Sequence, residues 1–519
     1  MQSKGVVLGP LAPQERRQRA FDLRKQTAEY YLSGAIPQHI SNGDDQMYKS
    51  ENHYATFTKG LPHDVNGEVN PAAYKTLLAA LESGQPADFE NVVLGSAALP
   101  KAGRLLLVDP QCGLAFELEG TDAHQVTLPP AYAFSSAGEI GEIAENYWMA
   151  ICRDVPFSNY AADSNIAAAA DDLNNYAEFD SPRDSTGKVT PQSVFRGFQG
   201  ELVGPYLSQF MILPIPYGAQ QTSQRLAFGL PPQNFMTTEA DYLAVQNGVA
   251  PSGPPLAALT QPHILANGRD LANYVHIDEL FQAYPNACLL LITPKLRGGF
   301  AAPLDDGNPY TTSQTQTGFG TLGEPNFKTI VAEVSTRALK AVWFQKWFVH
   351  RRLRPEAFGA RLHFYRARGR TYDFNATELA KLNSPSGPLE RVHATNGTWL
   401  LPMAFPEGCP VHPAYGAGHA TVAGACVTIL KALFKEEATI VGDLGLTPMN
   451  AECRWFRSSA LHRSRCLAHD SRRRVEQVSV EIWVWRGISL ASTGAPTTTR
   501  LRASVNRWRC SFCRIMPYV

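Results

Sequence analysis

Residues 327–351 read FKTIVAEVSTRALKAVWFQKWFVHR. Apolar side chains recur there at three- and four-residue steps for about seven turns, a period that predicts one long amphipathic helix. Pro355 disfavours helical backbone at the residue before it, so the helix is expected to end at Arg354, with the guanidinium at its mouth. A second pattern of this kind covers residues 419–435, and weaker ones cover 16–32, 72–81 and 140–152. The last carries Ile143, Tyr147 and Ile151 on one stripe. Such stripes are read as core-packing faces. Residues 256–291 read as two further helices. Residues 154–255, dense in Pro, Gly and Asn, read as loops and short helices rather than a sheet, and 301–326 as a polar surface loop. Alternating strand patterns are scarce, so the expected architecture is all-α with long loops.

Composition narrows the class. Lys+Arg and Asp+Glu both number 47, and a chain of zero formal charge has no general attraction for a polyanion, which argues against nucleic acid as a partner. Hydrophobic residues make up 44% of 519, enough for a large core, so wholesale disorder is excluded. No apolar run approaches a membrane span, and the polar N-terminus carries no apolar signal segment. The expectation is a soluble protein, cytoplasmic by default, with no membrane partner. Nine Cys form no disulfide framework. Cys112, Cys152, Cys288, Cys409 and Cys426 are scattered singly, while Cys453, Cys466, Cys510 and Cys513 crowd into the last 67 residues.

The chemistry lies in two short segments. Lys346 and Arg354 are eight residues apart, a little over two helical turns, so both can point to one side. By itself the basic cluster Arg351, Arg352 and Arg354 is a solvated helix end. It does not stand by itself, because His412-Pro-Ala-Tyr-Gly-Ala-Gly-His419 opens the second helix. Gly416 and Gly418 let the backbone approach a ligand closely, and the free N–H groups of a helix start bind oxyanions. A Lys, an Arg before Pro and a Gly-His helix start, in that order, read as an oxyanion site.

Lys346-x7-Arg354-Pro355 followed by Gly418-His419 resembles the signature shared by vanadium-dependent haloperoxidases and type 2 phosphatidic acid phosphatases. Asn42-Gly-Asp, ATFTKGLPHD (55–64), PQCGLAF (110–116), YWMA (147–150), RDVPF (153–157) and GPYLSQF (204–210) are similar to the red-algal and cyanobacterial bromoperoxidase branch, and the likeness covers about residues 15–445. The resemblance implies two four-helix-bundle-like cores holding vanadate(V), with structural calcium as a second cofactor and a homo-oligomeric assembly. It divides the chain into an N-terminal helical region (1–326), a vanadate-binding core (327–445) and an aberrant tail (446–519). It also implies that Lys346, Arg354 and the Gly418 N–H hold the equatorial oxygens. His419 would bond the apical oxygen and act as acid–base partner for hydrogen peroxide, and His412 would stand near the halide. Ala417 departs from the family, where Ser is common, and loses one side-chain hydrogen bond. The implied reaction oxidises halide with peroxide to a hypohalous acid equivalent that halogenates an organic small molecule. Two other readings stand beside it: an acid phosphatase using the same cage, and a non-catalytic oligomeric shell protein.

The tail breaks the pattern. From Cys453 onward there are 13 Arg, no Lys, three acidic residues and half of the eight Trp. The family requires Arg-x5-His here, the His being the covalent vanadium ligand. Arg463-x5-His469 has that spacing in surroundings unlike the family's, so His469 is a weak candidate for the metal ligand. Reading codons two nucleotides later through residues 486–500 allows Arg-x-x-Ala-Gly-Val-His-Trp-Arg-Ser-Asp-Tyr, the family's motif. A frameshift near residues 445–453 accounts for the composition. Such a chain is expected to bind vanadate weakly.

Overall fold

The computed structural model describes residues 9–435 and 438, apart from 119, 180–182, 196–205, 230 and 254–255. The tail from 446 on, with Arg463, His469 and the Cys510–Cys513 pair, lies outside the described residues. Fourteen α-helices are described. They are α1 (Pro13–Leu32), α2 (Asp44–Met47), α3 (Pro71–Ser83), α4 (Pro86–Phe89), α5 (Ala137–Cys152), α6 (Ser164–Leu173) and α7 (Glu239–Gln246), followed by α8 (Gly268–His276), α9 (Ala283–Ile292), α10 (Glu324–Phe344), α11 (Pro355–Arg368), α12 (Ala376–Leu382), α13 (Pro388–Asn396) and α14 (Gly418–Leu433). The all-α expectation holds. Among the described residues, no helix is long and apolar enough to cross a membrane.

Among the described residues, strands form two antiparallel pairs, β1 (Ile215–Tyr217) with β2 (Gln220–Thr222) and β3 (Leu226–Gly229) with β4 (Ala257–His263). They correct the reading of 154–255 as sheet-free and of 256–291 as helix throughout. Pro262 cannot sit inside a helix without breaking a hydrogen bond, so the apolar run from Leu256 extends against β3 instead. The helices α8 and α9 follow it as expected.

Two hydrophobic cores organise the chain. One is built on α5 with α6, α11, α12 and α13 around it, and includes Tyr147, Trp148, Phe358 and Leu401. The other joins α3, α9, α10 and α14 through Leu77, Leu290, Val331 and Val422. Both cores draw residues from either side of position 326. Helix α10 starts with Pro325 in its first turn and buries Phe327, Val331, Val334 and Ala338. The facing side of α14 is rich in Ala and Gly (Ala420, Ala423, Gly424), which lets the two helices lie close. Helix α1 behaves differently. Its apolar residues are not a core face, because none of its side chains is buried and Phe21, Tyr30 and Leu32 are exposed.

The end of α10 positions the site, and it differs from the sequence expectation. The α-helix gives way to a π turn over Gln345–His350, and Arg351 then takes left-handed backbone (φ +39°). The chain leaves the helix there because residues 351–352 pair with the segment before Lys59: the Phe57 N–H donates to the Arg351 carbonyl at 2.8 Å, and Thr56 bridges Arg352. Arg354 does not end the long helix. It is extended (φ −81°, ψ 150°) and caps the start of α11, where Pro355 supplies the first turn.

Candidate active site

Four segments meet at one place: the π turn, the start of α11, the loop 407–417 and the start of α14. Lys346 comes off the π turn fully buried. Its Nζ donates to the carbonyls of Pro413 (2.8 Å) and Ala414 (3.4 Å) and lies 5.5 Å from the Trp343 ring centre. Burial, and then the charge of Arg354, hold its ammonium well below the ordinary lysine range. Arg354 is equally buried. Its Nε donates to the His412 carbonyl at 2.6 Å, and its Nη2 lies 3.0 Å from His412 Nδ1. Burial lowers Arg354 too. The His412 ring packs against Trp343 with centres 4.9 Å apart, and burial, then the charges of Lys346 and Arg354, hold it well below the ordinary histidine range.

Trp343 links this cluster to α14. A Cβ placed on Gly418 would come within 3.0 Å of the indole, so glycine is needed for the helix start to approach it. Likewise a Cβ on Gly416 would fall 2.5 Å from Leu128. Both glycines thus serve contacts with protein side chains, a packing role beside the ligand approach read from the sequence. Ala417 is the N-cap of α14, extended and without a side-chain hydrogen bond to the first turn. Ala417 thus gives that turn no side-chain cap, and a helix start of this kind favours an anion.

The sequence reading singled out Lys346, Arg354, His412, Ala417, Gly418 and His419; Lys346 and Arg354 bond the 412–414 segment, and Trp343 lies against both His412 and Gly418. That reading missed Asp278. His419, on the first turn of α14, faces this buried carboxylate through Nε2, at 3.1 and 3.3 Å from its two oxygens. Asp278 lies in the loop after α8, 141 residues away in sequence, and carries no local motif. Lys59 was missed as well, although it lies within the quoted string 55–64. Its Nζ bonds the Glu356 carboxylate and the Glu407 carbonyl, both at 2.7 Å, while Glu356 accepts the Cys409 N–H at 2.7 Å. This buried strut ties the start of α11 to the turn that leads into His412. The remaining arginines of the cluster are not a solvated helix end. Arg351 pairs with Asp45 at 2.7 Å, and Arg352 is buried against Glu139 and Glu142.

The donor set suits a tetrahedral oxyanion. Two cations taken out of water side by side repel one another, and the partners of Lys346 are neutral carbonyls, so an anion placed between the cations and the start of α14 relieves both. A hard divalent cation finds no comparable cradle: among the described residues no group of three or more His, Cys, Asp or Glu could hold a metal ion.

No family model matches the chain. It is 34% identical over 506 residues to a vanadium-dependent bromoperoxidase of Corallina pilulifera, covering 81% of this chain and 83% of that one. A vanadium-dependent bromoperoxidase of Corallina officinalis matches with the same figures. One of Ascophyllum nodosum is 32% identical over 443 residues, covering 82% of this chain and 76% of the relative. Among solved structures, the homohexameric second vanadate-dependent bromoperoxidase of Ascophyllum nodosum superposes with a TM-score of 0.80 at 27% identity, covering 98% of this chain and 87% of that one.

Proposed function

The chain belongs to the vanadium-dependent bromoperoxidases, and from that membership we propose that it is a haloperoxidase whose described residues form most of a vanadate cage. The observation that carries this is the buried pair Lys346 and Arg354, joined through His412 and Trp343 to the uncapped start of α14. Lys346, Arg354 and the Gly418 N–H would hold the equatorial oxygens of vanadate. When bound, vanadate supplies Lewis acidity that polarises peroxide without changing its own oxidation state.

The protein's part is positioning and proton handling. The overall reaction takes halide, hydrogen peroxide and one proton to hypohalous acid and water. His419 is the group placed to hold and deliver that proton, and Asp278 fixes its ring by accepting at Nε2. His412 stays neutral between two cations, so it adds a polar contact for a halide without closing the anion's approach. The organic acceptor then takes the halogen from the hypohalous acid. Structural calcium has no cluster among the described residues to support it and takes no part in the proposal.

We also propose a homo-oligomer. The hexameric relative supports it, and so does α1, a twenty-residue helix none of whose side chains is fully buried and which exposes Phe21, Tyr30 and Leu32. The phosphatase alternative is disfavoured, since the curated relatives are bromoperoxidases.

The test is bromination with peroxide under orthovanadate titration, run on the chain as written and on a chain with the C-terminal frame restored. The restored chain is expected to brominate with saturable vanadate dependence, and the written chain to be much weaker. A restored chain that ignores vanadate would overturn the proposal, and equal activity in both would overturn the frameshift account. Turnover of a phosphate ester without peroxide would favour the phosphatase instead.

A further inference from the structure

The π turn that carries Lys346 also carries four buried polar atoms with no hydrogen-bond partner, one of them the Trp347 indole Nε1. His350 is 4% exposed, yet neither ring nitrogen has a hydrogen-bond partner. Gln345 is 1% exposed, and its Oε1 is likewise unpartnered, while its Nε2 donates to the Val126 carbonyl at 2.8 Å and faces His39 Nδ1 at 3.2 Å. In an α-helix, residues five apart point about 140° away from each other, and the wider π turn narrows that angle, turning Gln345 and His350 towards one side. Around them stand the Tyr415 ring, 4.7 Å from that of His350, and the half-buried His39; burial above all pushes His350 down to about 3. A neutral imidazole carries one donor and one acceptor, so His350 and Gln345 together present one N–H and two acceptors, and the Trp347 indole adds a second N–H on the same turn.

We propose that the π turn encloses a binding site for one small neutral hydroxylic molecule, held by His350 and Gln345 and reached past His39. Charge excludes the alternatives. A halide cannot donate to Gln345 Oε1, and an ammonium or metal cation cannot accept from the imidazole N–H. The nearby arginines offer no surplus charge to hold an anion, because Arg351 is taken by Asp45 and Arg352 by Glu139 and Glu142. Water and hydrogen peroxide both have two O–H donors and free lone pairs, and both meet the requirement. The site adjoins the cage, since Gln345 precedes Lys346 and the residue before Tyr415, Ala414, accepts from Lys346 Nζ. The peroxide arm rests on the haloperoxidase reading, and the water arm does not.

The experiment is a crystal structure of the full chain, without peroxide and after a peroxide soak. One oxygen within hydrogen-bond distance of a His350 nitrogen and Gln345 Oε1, unchanged by the soak, identifies water. Replacement by a two-oxygen molecule identifies peroxide. A dry contact, or ring nitrogens bonded to protein groups, overturns the site. Nitrogen-15 NMR of the histidines gives a second readout in solution, where His350 is expected to show hydrogen-bonded ring shifts and bare shifts would overturn it. His350→Phe is expected to lower the Tm, because it removes the bound molecule's partner and strands Gln345 Oε1. A Tm equal to or above that of the parent would mean a dry pocket and would count against the site.

Discussion

Ala417 is where this chain loses a hydrogen bond at the mouth of its site. The backbone there already has the extended geometry of an N-cap, so a hydroxyl could reach the first-turn N–H groups without rearrangement. Ala417→Ser is therefore expected to stabilise the fold by about 1 kcal/mol, read as a higher denaturant midpoint at unchanged m-value. Asp278 acts through another side chain. Its carboxylate holds His419 and has no other apparent claim on the site, so Asp278→Asn should leave vanadate binding near its parent value. Turnover should fall on the order of ten- to a hundredfold, for a charge-assisted bond of about 1.5–3 kcal/mol. An unchanged kcat in the folded variant would remove Asp278 from the mechanism.

Helix α5 shows what an element can conceal. Its stripe of Ile143 and Tyr147 packs as expected, but the opposite face is buried too, with Glu139, Glu142 and Glu145 inside. Arg352 answers the first two. Glu145 is raised to about 8, first by burial and then by Glu142, from a model-peptide value of 4.5. Its folded-state proton is held more tightly than the unfolded one, so the stability it contributes is complete below about pH 4.5. That stability is lost as pH rises towards 8. Glu145→Gln removes this dependence. The variant's Tm advantage over the parent should be small at pH 5 and should grow towards pH 8, as thermal melts across that range would show. A constant offset would mean that Glu145 is ionised in the fold.

At the scale of the whole molecule the open surface is α1. None of its twenty residues is fully buried and Phe21, Tyr30 and Leu32 are exposed, so burial of that area against another copy is expected to stabilise the assembly. Removing residues 1–32 is expected to lower the assembly state seen by light scattering while leaving each protomer folded. Unchanged assembly would locate the contacts elsewhere.

The 3.6-residue period of 327–344 announced the helical class, and the segments around Lys346, Arg354 and His412–His419 singled out the candidate site residues. Local sequence suffices there because the side chains that pack or bind sit on short continuous segments, and a helix start needs only its own residues to present its N–H groups. What sequence could not supply was the exit from α10. Whether residues 345–354 continue the helix depends on Phe57 and Thr56, nearly three hundred positions away, drawing residues 351–352 into pairing. Asp278, the Lys59–Glu356 strut and the Arg352–Glu139–Glu142 cluster share that origin. Each is a burial of charge whose partner comes from a distant segment, so only the folded chain decides which carboxylate meets which cation.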